Sequence, residues 1–115
     1  MSETLLVLSN LPDEVSARKL AKALIKQRLA ACVNILAPCT SVYRWQGDIE
    51  QASEHPLLIK TTVAAYPALE RCIRSLHPYE LPEIIAVSVD RGLPAYLAWV
   101  AGETVTTPAT DDTLD

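Results

Sequence analysis

The chain has 115 residues, 50% of them apolar and 21% charged, with a formal net charge of −4 and a pI near 5.1. That is enough apolar material for one domain with its own core. It is too little positive charge for a general nucleic-acid binder, which needs a basic face to displace counterions from phosphates. Asp111, Asp112 and Asp115 carry much of the acidity, so the remainder is close to neutral. Cys32, Cys39 and Cys72 are odd in number and lack C-x-x-C spacing. That pattern predicts free, mostly buried thiols in a reducing compartment rather than a zinc site. The opening "MSETLLVLSN" has four consecutive apolar residues and an acid at Glu3, the pattern of neither a signal peptide nor a membrane span. A cytoplasmic protein without membrane contact is expected.

"TLLVLS" reads as a short strand with apolar residues facing both ways. "LPDEVSARKLAKALIKQRLAA" then changes to helical period. Pro12 suits its first turn, and Asp13 and Glu14 complement the positive end of the helix dipole. Ala17, Leu20, Ala21, Leu24 and Arg28 fall on one stripe, while Lys19, Lys22 and Lys26 form a solvated face. "CVNILA" is a strand that Pro38 interrupts. "SVYRWQGDIEQASEHPLLIKTTV" follows as two strand runs around a turn at Gly47-Asp48, a long, broken hairpin projecting from the body. Tyr43 and Trp45 share one of its faces, and Val42 and Arg44 the other. Pro56 marks a bulge, an edge or a strand start, because it has no N–H to give. "AAYPALERCIRSLH" is a second helix whose stripe is Leu69, Cys72, Ile73 and Leu76, ended by Pro78. "PEIIAVSVD" is a strand, and "LPAYLAWVAG" a short third helix with Pro94 near its start and Gly102 as its stop.

The order β-α-β-β-α-β plus a terminal helix predicts an α+β, ferredoxin-like fold, with an antiparallel sheet and two helices on one face. Residues 1–103 form the domain, and 104–115, "TVTTPATDDTLD", lack apolar periodicity and read as a disordered tail. Two helices cover only one face of such a sheet, yet "LLVL", "LLI" and "IIAV" put apolar side chains on both. A short third helix cannot shield four strands, so self-association is expected.

No phosphate-binding glycine loop, nucleophile elbow or H-E-x-x-H motif is present, and nothing predicts an enzyme. The stretch "HPYELPEII" concentrates the polar candidates. His77 sits at the negative end of the second helix, where it can cap the last carbonyls or offer a ring nitrogen to a metal. Glu54 and His55 alternate to opposite faces, which makes them poor joint ligands. Glu83 opens a strand and needs a cation, for which Lys60 in "LLIKTT" is the candidate. Two readings stand here: an ion pair holding the register, or a polar cleft of Glu54, Lys60, Tyr79 and Glu83 around a small ligand.

"AACVNI", "SVYRWQGDIEQASEHPLLIKTT", "HPYELPEI" and "YLAWV", in this order and spacing, closely resemble the CutA family, the divalent-cation tolerance proteins. The resemblance runs from the first strand to the third helix. It implies a homotrimer related in architecture to the PII signalling proteins, with no established catalytic activity and an association with copper and other divalent metals. It places Tyr43 and Trp45 at subunit contacts, and the "HPYELPE" corner beside an inter-subunit cleft near Glu54 and Lys60. Some bacterial members carry a cysteine at the end of the first strand and a His-His pair before Pro-Tyr. Ser9 and Leu76-His77 stand at those positions here, leaving His77 as the principal candidate ligand with Glu83 or Glu54 as helpers. The other function the resemblance allows is a PII-like signalling or scaffold trimer that takes a small ligand at its clefts.

Overall fold

A computed structural model describes residues 3–105. In chain order the elements are β1 (Thr4–Leu11), α1 (Glu14–Lys26), β2 (Cys32–Ile35), β3 (Cys39–Trp45), β4 (Asp48–Thr62), α2 (Tyr66–Leu76), β5 (Ile85–Ser88) and α3 (Pro94–Glu103). The antiparallel sheet runs β2-β4-β1-β5, with β3 paired to the first half of β4. β2 and β3 are two pieces of one strand broken around Pro38, so the ferredoxin-like arrangement is the one the pattern predicts.

Strand alternation divides the sheet into two unlike faces. Val7 lies opposite Ile59 and Ser9 opposite Leu57, with Val33 beside Ile59 on the other flank. These residues face α1 and α2, whose Leu20, Leu24, Leu69 and Ile73 complete the core. Each fully buried Leu or Ile contributes about 1.5–3 kcal/mol relative to exposure. Asp13 starts α1 by accepting from the Ser16 N–H at 2.7 Å, which also holds its carboxyl below the usual range. The second face carries Leu6, Leu8, Leu58, Ile85 and Val87 in register, and on it Ile85 and Val87 are half exposed. α3 touches β4 and β1 but buries only Val100 among its own residues. Apolar surface therefore remains open on this side, as the surplus of apolar residues in the strands predicts.

The turn of the hairpin is Gln46-Gly47, at φ 50° and 89°, rather than Gly47-Asp48. Two left-handed residues let Trp45 pair directly with Asp48 and match the twist of the flanking strands. β1 pairs β4 only from His55 onward, so β3 and the first part of β4 form a two-stranded ribbon beyond the sheet. Pro56 sits where the neighbour of β4 changes from β3 to β2. Its carbonyl accepts from Leu36 at 2.9 Å, so its missing N–H points into the gap between those two strands and costs no ladder bond.

Two further expectations are corrected. Leu76 is exposed, since α2 ends there and the stripe loses its neighbour. Cys39 is exposed at the base of the ribbon, while Cys32 and Cys72 are partly buried. Two residues of the expected tail are bonded to the body. Thr104 is buried and its hydroxyl donates to the Val100 carbonyl at 3.1 Å, and the Val105 N–H bonds the Arg28 carbonyl at 2.9 Å. Residues 106–115, the remainder of the expected tail, lie outside the described residues.

Candidate functional site

α2 ends because Pro78 excludes the helical conformation at His77, whose own N–H closes the last turn on the Ile73 carbonyl at 2.8 Å. The His77 ring does not cap helix carbonyls, contrary to the expectation for that position. It folds back onto the end of β1, where Nε2 lies 2.7 Å from the Asn10 carbonyl, and Nδ1 accepts the Tyr79 N–H at 3.1 Å. A carbonyl only accepts and an amide N–H only donates, so these partners select the neutral ring protonated at Nε2. Tyr79 also lies against that ring, with centroids 4.8 Å apart. His77 is buried, and both of its nitrogens are engaged.

Asn10 links this corner to the next segment. Its carbonyl holds His77, and its side-chain Nδ2 donates to Glu83 at 2.8 Å. Tyr79 donates its hydroxyl to Glu54 at 3.0 Å. Burial, and then the Glu54 carboxylate as hydrogen-bond acceptor and charge, push the Tyr79 phenol up to about 12. Glu54 itself is only 8% exposed, and the hydrogen bond found for its carboxylate is the one from Tyr79.

These groups bound a cavity of about 670 Å³ between the ribbon and the corner. Its walls include the rings of Tyr43, Trp45 and Tyr79 and the carboxylates of Glu54, Glu80 and Glu83. None of the residues lining it is basic. Glu54, Tyr79 and Glu83, three members of the expected cleft, are thus brought together, and Tyr43 and Trp45 join them. Lys60 is not. It lies six residues along β4 from Glu54, about 20 Å at the rise of a strand, between Leu6 and Cys32, and its ammonium donates to Asn34. The expected Glu83–Lys60 pair is replaced by the Asn10–Glu83 hydrogen bond. Asn10 was not foreseen as a member of the site. The signal was its place on the same face as Glu54, directly across from Pro56.

A divalent ion needs several donors converging on one point. Among the described residues no group of three His, Cys, Asp or Glu side chains is so arranged. Ser9 Oγ is buried and unpartnered, but it faces the core beside Leu57. His55 also lies on the core face, opposite Leu11, and its Nδ1 is buried without a partner. The described donors of a single chain therefore do not gather into a complete metal centre. No helix among the described residues is long and apolar enough to cross a membrane.

The class defined by these features is a ferredoxin-like α+β protein with a projecting ribbon and an acidic, aromatic-walled cavity alongside it. Residues 5–103 match the model of the family described as CutA1 divalent ion tolerance protein, and the chain belongs to that family. It is 48% identical over 98 residues to the divalent-cation tolerance protein CutA of Thermus thermophilus, covering 85% of this chain and 95% of that one. It is 47% identical over 89 residues to the human Protein CutA, covering 77% of this chain and 50% of the human one. It thus spans about half the length of that relative. The crystal structure of CutA from Xylella fastidiosa superposes with a TM-score of 0.88 at 46% identity, covering 90% of this chain and 100% of that one. The structure of CutA1 from Oryza sativa gives 0.89 at 33% identity, covering 92% and 97%.

Proposed function

We propose that the protein acts in divalent-cation tolerance as a cytoplasmic homotrimer, binding copper or related divalent ions with modest affinity and catalysing no reaction. Family membership carries this reading, since the relatives are named for cation tolerance and not for a reaction. Self-association is supported by the uncovered sheet face and by the ribbon, where Val42 and Ile49 are more than half exposed. An isolated two-stranded ribbon is marginal in water, and its free edges invite a neighbouring strand. Tyr43 and Trp45 would lie at those contacts.

Modest metal affinity is the reading the donor set supports. His77 can bind an ion at Nδ1 only by releasing the Tyr79 N–H. Glu83 and Glu54, which line one cavity, are better placed as donors, with a second copy supplying further ones because no three such side chains gather among the described residues of one chain. Copper(II) and zinc(II) titrations of wild type, His77→Ala and Glu83→Gln, each with its mass measured by light scattering, test this. A trimer whose binding weakens in Glu83→Gln supports the reading. A monomer, or metal binding unchanged in both variants, refutes it.

A second reading is favoured by one observation, the cavity itself. Its volume lies within the range of small-molecule sites, so a ligand-binding trimer of the signalling type remains the alternative. An anionic ligand is disfavoured there, because the carboxylates would repel it and Lys60 is elsewhere.

A further inference from the structure

We infer that α3 is a strap able to open, hinged at its start and fastened at its end, with Arg28 as the clasp that keeps it over the second face of the sheet. Neither metal nor ligand binding enters this inference. It starts from the backbone of Arg28, which follows the C-cap Gln27 of α1 with a φ of 59°. That is the left-handed region, where a side chain is strained and glycine is preferred. A large side chain stands there instead, and the residue reaches α3 twice. Its Nη2 donates to the Gly102 carbonyl at 2.7 Å, and its own carbonyl accepts the Val105 N–H at 2.9 Å. The guanidinium thus also answers the negative end of the α3 dipole.

Burial adds little to this fastening. Of the ten residues of α3 only Val100 is buried, with Thr104 just beyond the helix. A helix of that length is marginal in water on its own. At the other end, Asp90 to Leu93 lie outside any helix or strand, and residues 90–96 are all exposed in the single chain. An exposed hinge and a distant clasp let such a segment open without the rest of the domain. Because α3 has no charged residue before Glu103, opening would free a helix that is apolar nearly all round and bare the parts of β1 and β4 beneath it. Both favour wrong contacts between copies. The clasp therefore guards the sheet face on which the proposed self-association relies, and only this consequence rests on that reading.

Amide hydrogen exchange of the full chain, wild type beside Arg28→Gly and Arg28→Lys, tests the inference. Glycine relieves the φ and keeps the carbonyl, so a loss of protection in α3 reports on the guanidinium. Wild-type amides from Tyr96 to Val105 should exchange faster than those of β4. Arg28→Gly should speed them roughly tenfold and leave β4 unchanged, and Arg28→Lys should fall between, since an ammonium offers a point charge without the planar fork. On mild warming, light scattering should find Arg28→Gly in species heavier than wild type. If wild-type α3 exchanges no faster than β4, the helix opens only with the whole domain and the strap is overturned. Unchanged α3 protection in Arg28→Gly, or a loss spread equally over α1 and β4, would overturn the clasp. Opening without any gain in mass would overturn the guarding role. Exchange is readable whatever the wild-type mass, so a monomer would refute self-association without touching the strap.

Discussion

His77→Ala separates a structural histidine from a metal ligand. The ring makes two hydrogen bonds, to the Asn10 carbonyl at 2.7 Å and from the Tyr79 N–H at 3.1 Å, and packs against the Tyr79 ring at a 48° tilt. Each hydrogen bond is worth about 1 kcal/mol net, and the ring pair about 0.5–1.5 kcal/mol more. Alanine also leaves two backbone groups without partners in a corner that water reaches only in part. The expected loss is about 3 kcal/mol, a large fraction of a small domain's stability. The assay is urea denaturation with a chelator present, at one fixed protein concentration because association contributes to stability. A loss below about 1 kcal/mol under those conditions would refute the structural role. If the missing stability instead appeared only when copper or zinc was added to wild type, the histidine would be a ligand after all.

Tyrosinate absorbance during an alkaline titration should show Tyr79 ionising near 12, and Glu54→Gln should lower that value without returning it to 10.0, because burial persists. The folded state favours the neutral phenol, so its stabilising contribution is full below pH 10.0 and is lost as pH rises through about 12. Tyr79→Phe should remove that portion of the alkaline instability, and an unchanged alkaline limb would contradict the Tyr79–Glu54 contact. Gly47→Ala should cost roughly 1–2 kcal/mol in the ribbon, since an added β-carbon meets no neighbour and the penalty is purely the φ of 89°. Hydrogen exchange should place that loss in β3 and the first half of β4, and a uniform loss over the body would contradict it. Ile59→Ala, at a fully buried position between Val7 and Val33, should cost about 2–5 kcal/mol. A smaller value by denaturant melting would mean that the core collapses around the gap.

The fold was legible because local chemistry repeats along the chain. The stripe of Ala17, Leu20, Ala21 and Leu24, the prolines at helix starts and the alternation in β4 each report on residues a few positions apart. Apolar residues on both faces of the strands also announced the open sheet face where Ile85 and Val87 lie. The site was legible only in part. Glu54, Tyr79 and Glu83 line one cavity of the single chain, while Lys60 of the same chain lies six residues along β4 from Glu54. His77 shows the limit of sequence. Its place at the end of α2 follows from Pro78, but which atoms its ring touches depends on Asn10, 67 residues away in the chain. Sequence alone determined the elements, their order and the apolar surplus, because those follow from neighbours in the chain. Only the tertiary structure decided which nitrogens were engaged, which carboxylates line the cavity and that no basic residue of the same chain lines it with them, because these depend on the register that brings distant strands and corners together.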